Sequence, residues 1–148
     1  MQNVIILFFV ASSLFIKPLL VDPSPIIIMQ RTACYGTCPN YKITIYDNGK
    51  TLYEGFNFVD KIGLFQTYIS KNDIINIIKN INEINYFDLD DIYNTPVTDI
   101  PSVILTVSID KKSHKVIDRF SGPQSLKKIH KLIDEIINNA TEWDSVIK

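Results

Sequence analysis

The chain has 148 residues, 46% of them hydrophobic and including eight Phe and seven Tyr, which is enough apolar material for one core and excludes a disordered linker or two independent domains. Its 15 basic and 16 acidic residues give a net charge of −1 and are scattered along the sequence. No basic field is left to hold a phosphate backbone, so nucleic acid is excluded as a partner.

The first element is the uncharged run Val-Ile-Ile-Leu-Phe-Phe-Val-Ala-Ser-Ser-Leu-Phe-Ile at residues 4–16. It has the length of a signal-peptide core and falls short of the roughly 20 residues that a spanning helix needs. Residues 1–21 are read as a signal peptide or an uncleaved hydrophobic anchor. The protein is accordingly expected to be exported, whether periplasmic, secreted or attached to a membrane through this segment alone. Three features depart from the usual pattern: no Lys or Arg precedes the run, the nearest small residues are Ala11 to Ser13, and no cysteine stands where a lipid would be attached. A helix buried in the domain is the competing reading, disfavoured because the run is apolar all round.

Asp22-Pro23-Ser24-Pro25 is a linker, since two prolines bar a helix, and residues 26–148 form the domain. Ile26 to Arg31 reads as a buried strand and Tyr41 to Tyr46 as a half-buried one with period-2 alternation. Asp47-Asn48-Gly49 reverses the chain. A two-residue turn there sets Ile45 opposite Leu52 and Tyr41 opposite Phe56 but leaves Glu54 across from Ile43. A three-residue turn with a bulge is the alternative. Leu64 to Ile69 is a further strand. The first helix runs from Lys71 to Ile84, with Ile74, Ile77, Ile78, Ile81 and Ile84 on one stripe and Ser70 and Asp73 as capping pair. A long loop from Tyr86 to Pro101 is too rich in turn residues for regular structure. Val103 to Ile109 and Val116 to Phe120 make a second hairpin, and Ser121-Gly-Pro-Gln124 opens a helix with Leu126, Ile129, Ile133, Ile136 and Ile137 facing one way. The order of four strands, helix, two strands, helix predicts an α+β domain: an antiparallel sheet of about five to six strands with both helices on one face.

The unusual constellation is Arg31-Thr-Ala-Cys34-Tyr35-Gly36-Thr-Cys38-Pro39-Asn-Tyr41. The pattern Cys-x-Gly-x-Cys-Pro-x-Tyr, followed by a strand and a turn holding Asp47 and Gly49, resembles family 6438 of the bacterial domains of unknown function. Tyr53-Glu54-Gly55, Phe87 to Leu89 and Val97-Thr98-Asp99-Ile100-Pro101 extend the resemblance, which spans residues 26 to 138. It implies a domain boundary and often an exported or lipid-anchored chain, and it implies no activity.

Two thiols four residues apart across a glycine turn can reach disulfide distance in an oxidising compartment. A pair of reduced thiols filling a small core pocket is the other open reading. A redox-active pair is disfavoured by its three intervening residues and the lack of a following helix, and zinc by the spacing of His114 and His130. No cofactor and no metal are expected, and no catalytic residue is assigned. Tyr93, Thr98 and Asp99 lie in the long loop, where binding groups tend to be placed, although Thr and Asp also stabilise turns through their own backbone. His114 and His130 read as partly exposed or satisfied, and Lys127, Lys128 and Lys131 as a solvated helix face.

The leading expectation is a non-catalytic exported domain that binds a protein or envelope component through Arg31, Tyr35 and Tyr41 of the cysteine loop and Tyr93, Thr98 and Asp99 of the long loop. The alternatives are an exported thiol or redox protein using Cys34 or Cys38 with Arg31 beside it, and a purely structural module.

Overall fold

The computed structural model describes residues 23–146. The N-terminal apolar run lies outside them. Six strands of six to eight residues carry the fold: β1 (Pro25–Arg31), β2 (Asn40–Tyr46), β3 (Lys50–Asn57), β4 (Gly63–Tyr68), β6 (Val103–Ile109) and β7 (Lys112–Asp118). Two further strands, β5 (Ile92–Tyr93) and β8 (Asp144–Ser145), have two residues each and form the edges of an eight-stranded sheet in the order β5-β7-β6-β1-β2-β3-β4-β8. Every pairing is antiparallel except that of β5 with β7. The expectation of five to six antiparallel strands is therefore corrected to eight in a mixed sheet. Its shortfall is the two edge pieces, which are too short to show any periodicity.

Alternation explains the faces. Ile27, Met29, Ile43, Ile45, Leu105 and Val107 are fully buried, while their sequence neighbours Ile28, Thr44 and Thr106 are only half-buried. The buried set meets the stripes of α1 (Lys71–Glu83) and α2 (Gln124–Asn139), whose Ile77, Ile81, Leu126 and Ile133 are likewise at 0% exposure. A single core thus lies between one sheet face and two helices, and each fully buried Ile or Leu contributes about 2 kcal/mol of burial. No helix among the described residues is long and apolar enough to cross a membrane.

Ser70 caps α1 as its sequence predicts. Its side chain accepts from the Asp73 N–H at 3.1 Å, and the Asp73 carboxylate accepts from the Ser70 N–H at 3.2 Å. The first hairpin takes the three-residue alternative. Ile45 stands opposite Thr51, Ile43 opposite Tyr53 and Tyr41 opposite Gly55, and the Gly49 N–H donates to the Tyr46 carbonyl at 3.0 Å. The two-residue register was one position out. In the observed register Glu54 lies opposite Lys42 on the helix-free face, so no charge is turned into the core. Gly49 has φ +86°, and a Cβ there would sit 2.7 Å from the Ile69 carbonyl oxygen, so the turn is built for glycine. The loop between α1 and β6 is more ordered than its composition suggests. A 3₁₀ turn at Tyr86–Asp88 buries Tyr86 completely, and its hydroxyl donates to the Leu105 carbonyl at 2.6 Å.

Candidate functional site

Strand direction gathers most of the candidate residues at one end of the sheet. Arg31 closes β1 and pairs with Tyr41 near the start of β2 and with Val103 at the start of β6, which in turn pairs with Asp118 at the end of β7. Gly55 and Gly63 face each other in the same region of β3 and β4. Four loops therefore meet here: the cysteine loop, the β3–β4 loop, the segment before β6 and the segment leading into α2.

Cys34 and Cys38 form a disulfide with Cα atoms 5.7 Å apart, and no free cysteine is present among the described residues. The bridge closes a small loop whose tip, Tyr35, is 91% exposed. This loop is tied to the segment before β6: the Tyr35 N–H donates to the Asp99 carbonyl at 3.3 Å, the Thr32 N–H to the Ser102 carbonyl at 3.0 Å, and the Ser102 N–H to the Thr32 hydroxyl at 2.8 Å. Asp99 has φ 63°, one of the left-handed positions that short polar residues tolerate. Its side chain and that of Thr98 are exposed. Of the residues singled out in the sequence, Arg31, Tyr41, Cys34, Cys38, Tyr35, Thr98 and Asp99 thus share one end of the molecule. Tyr93 reaches this end too, paired with Asp118, but it stands apart from the cluster on the edge strand. It sits in β5 at the sheet edge, where its hydroxyl accepts from the Asp90 N–H at 3.2 Å.

Arg31 and Tyr41 converge on Asp134 of α2, which the sequence reading left out. Arg31 Nε and a terminal guanidinium nitrogen both donate to Asp134 Oδ2, the Tyr41 hydroxyl donates to Asp134 Oδ1 at 2.6 Å, and Arg31 Nε also reaches the Tyr41 oxygen at 2.9 Å. Burial opposes the arginine charge, but the bond to Asp134 and its negative charge outweigh that and raise the Arg31 pKa. Burial pushes the Tyr41 phenol well above its usual range, and the neighbouring Asp134 carboxylate pushes it further. The three groups satisfy one another and lock α2 to the ends of β1 and β2. The Arg31 guanidinium is consequently committed to Asp134 and not to a cysteine sulfur.

Next to this clamp lies a buried acid and imidazole. Asp118 and His130 are 4% and 3% exposed. Asp118 Oδ1 accepts from the Gly122 N–H at 2.8 Å, and Oδ2 lies 4.0 Å from His130 Nδ1, too far for a hydrogen bond. Gly122 is required by this close approach, since a Cβ there would stand 2.7 Å from the Asp118 carboxyl carbon. His130 Nε2 is buried and has no hydrogen-bond partner among the described residues. Burial, followed by the positive charges of Arg31 and Lys127, pulls the His130 pKa down to about 4, so the ring is neutral at pH 7 and its contact with Asp118 is not an ion pair. The expectation of an exposed or satisfied His130 is thereby corrected. The available signal was its position four residues after Leu126 and three before Ile133, on the apolar stripe of α2. Lys131 and Lys128 are exposed as a solvated face requires, but Lys127 is half-buried and its ammonium donates to the Phe120 carbonyl at 2.7 Å.

These groups line a cleft of about 970 Å³ between α2 and the loop end of the sheet. Its α2 wall carries Lys127, His130, Lys131, Asp134 and Asn138, and its far end is aromatic. There Tyr53 stacks on Tyr41 at 5.4 Å between ring centroids and meets Trp143 edge-on at 5.8 Å, while the Lys61 ammonium lies 5.5 Å above the Trp143 ring. Cys38 and Pro39 of the disulfide loop form part of the rim.

The family described as a domain of unknown function, DUF6438, matches residues 25–137. The chain belongs to this family. The DUF6438 match runs from the first residue of β1 to the buried Ile137 of α2, so it takes in the disulfide loop, the Arg31, Tyr41 and Asp134 clamp and the Asp118 and His130 pair, and stops short of Trp143. No curated protein matches the chain.

Proposed function

We propose that this DUF6438 protein is a non-catalytic, exported binding domain that engages a protein or envelope component with the disulfide end of its sheet. The observation that carries the reading is the concentration of exposed apolar side chains on the loops there. Tyr35, Phe58, Ile62, Val97 and Phe120 are 91%, 58%, 60%, 55% and 72% exposed, and Phe58 and Phe120 line the cleft itself. Large apolar groups held in water on several loops around one concavity are the pattern of a recognition surface. Local backbone supports the same view, since Phe58 and Phe120 have φ of 55° and 73°, a conformation that costs bulky residues energy.

Binding is favoured over catalysis because the groups of the clamp and of the cysteine loop are already engaged with one another. Arg31, Tyr41 and Asp134 form a closed set, the Tyr41 phenol is a poor proton donor, and both sulfurs are in the disulfide. Pro25, where the chain enters the domain, lies at the opposite end of β1 from Arg31. A protein held by its N-terminal segment therefore keeps the cleft end free.

The test is retention of a partner from an envelope fraction by the full chain and by a Phe58→Ser, Phe120→Ser variant. Both side chains are exposed, so the variant should unfold at the temperature of the parent. The expected result is loss of the partner that the parent retains; undiminished retention by the folded variant contradicts the proposal.

A further inference from the structure

The cleft is not uniform along its length. On α2 its lining runs from Lys127 to Asn138, eleven steps of helix or about 16 Å at 1.5 Å per residue. At the Lys127 end stand Lys131, the His130 ring and buried Asp118; at the other stand Tyr53 and Trp143 with Lys61 and Asp60. In the middle, Arg31 and Asp134 neutralise each other.

We propose that the cleft takes a ligand bearing a carboxylate at one end of an aromatic or aliphatic body, the carboxylate lying between Lys127, Lys131 and His130 and the body running along α2 towards Tyr53 and Trp143. This rests on the reading of the cleft as a binding site and adds the chemistry of its occupant. Three observations support it. Lys127 spends one of its three N–H groups on the Phe120 carbonyl, and Lys131 forms an exposed ion pair with Glu135 at 3.4 Å, so both ammonium groups retain donors. The Asp118 carboxylate is turned inward, bonded to the Gly122 N–H and facing His130, and offers little to a ligand cation. Arg31 and Lys127 both act on the His130 ring as positive charges, and its Nε2 has no partner among the described residues. An ammonium ligand would add to this positive field; an acid is drawn by it.

The bound acid should be visible at His130. The groups facing the ring are Asp118 from β7, Arg31 from β1 and Lys127 from α2, all present with or without ligand. A carboxylate brought beside them favours the imidazolium, so the ring titration should move upward from about 4.

The experiment titrates the full chain with three probes of one shape, 3-phenylpropanoate, 3-phenylpropanol and 3-phenylpropylammonium, following the His130 ring and Trp143 indole resonances. The acid is expected to shift both, to raise the His130 titration by at least about one pH unit, and to bind about tenfold more weakly to the Lys127→Gln, Lys131→Gln variant. Equal or tighter binding of the alcohol or the amine overturns the inference and leaves the cleft as a binding site. No shift with any probe also overturns it, while partner retention by the loop variants decides the wider reading separately. A tripeptide ending in phenylalanine, compared with its C-terminal amide, distinguishes the source. Tighter binding than the small acid, lost on amidation, supports a peptide terminus; the reverse order supports a free organic acid.

Discussion

At the scale of single residues, His130 is the group whose energetics are least ordinary. Its pKa falls from 6.5 to about 4 on folding through burial and then through Arg31 and Lys127. The unfolded chain therefore binds more protons than the folded one between these values. The stability that depends on the neutral ring is fully present above pH 6.5 and is lost as pH falls towards 4, amounting to about 3 kcal/mol. Urea unfolding at pH 7.5 and pH 4.5 should show this loss in the parent and a smaller one in His130→Gln; equal losses would mean that another group governs the acid sensitivity. The residues that make up the site were unevenly legible in the sequence. Arg31 and Tyr41 stood out because they flank the cysteines. Asp134 and Asp118 did not, since they lie about 100 and 80 positions further along the chain; the antiparallel pairing of β1 with β6 and β6 with β7 brings Asp118 to this end, and the packing of α2 on the core brings Asp134.

Among the elements, those whose own side chains specify them were readable and those specified by neighbours were not. The limits of α1 follow from the Ser70 and Asp73 capping box and an isoleucine stripe, and the structure ends the helix at Glu83, one residue earlier than the stripe suggests. The first hairpin was ambiguous because alternation fixes which residues share a face but not the turn length, and here Gly49 and the Lys42 and Glu54 pair decide it. β5 and β8 exist only because β7 and β4 offer open edges to pair with. The disulfide loop is an element stabilised covalently. Closing so few residues lowers the entropy of the unfolded chain, and replacing both cysteines by serine should cost about 2 kcal/mol. The larger effect is expected locally, where the Tyr35 bond to Asp99 should exchange its amide hydrogen faster than in the parent. Unchanged exchange at Tyr35 would show that the loop is held by Thr32 and Ser102 and not by the sulfur bridge.

The whole molecule is a sheet closed on one face by two helices, with a polar clamp at one end holding α2 against β1 and β2. The core and the clamp divide the work: the apolar stripe of α2 sets how deeply the helix packs, and Asp134 fixes its position over Arg31 and Tyr41. The cleft exists because the clamp spans α2 and the sheet below a rim of loops. The exposed rings of Phe58 and Phe120 are thereby carried on a rigid base, with the N-terminal entry of the chain at the other end of β1. The most direct test of the binding account is hydrogen exchange of the full chain with and without the partner retained from an envelope fraction. The account predicts protection in the cysteine loop, the β3–β4 loop and the segment from Phe120 to Lys131. Protection confined to the opposite turns, at Asp47 to Gly49 and at Asp110 and Lys111, would contradict it.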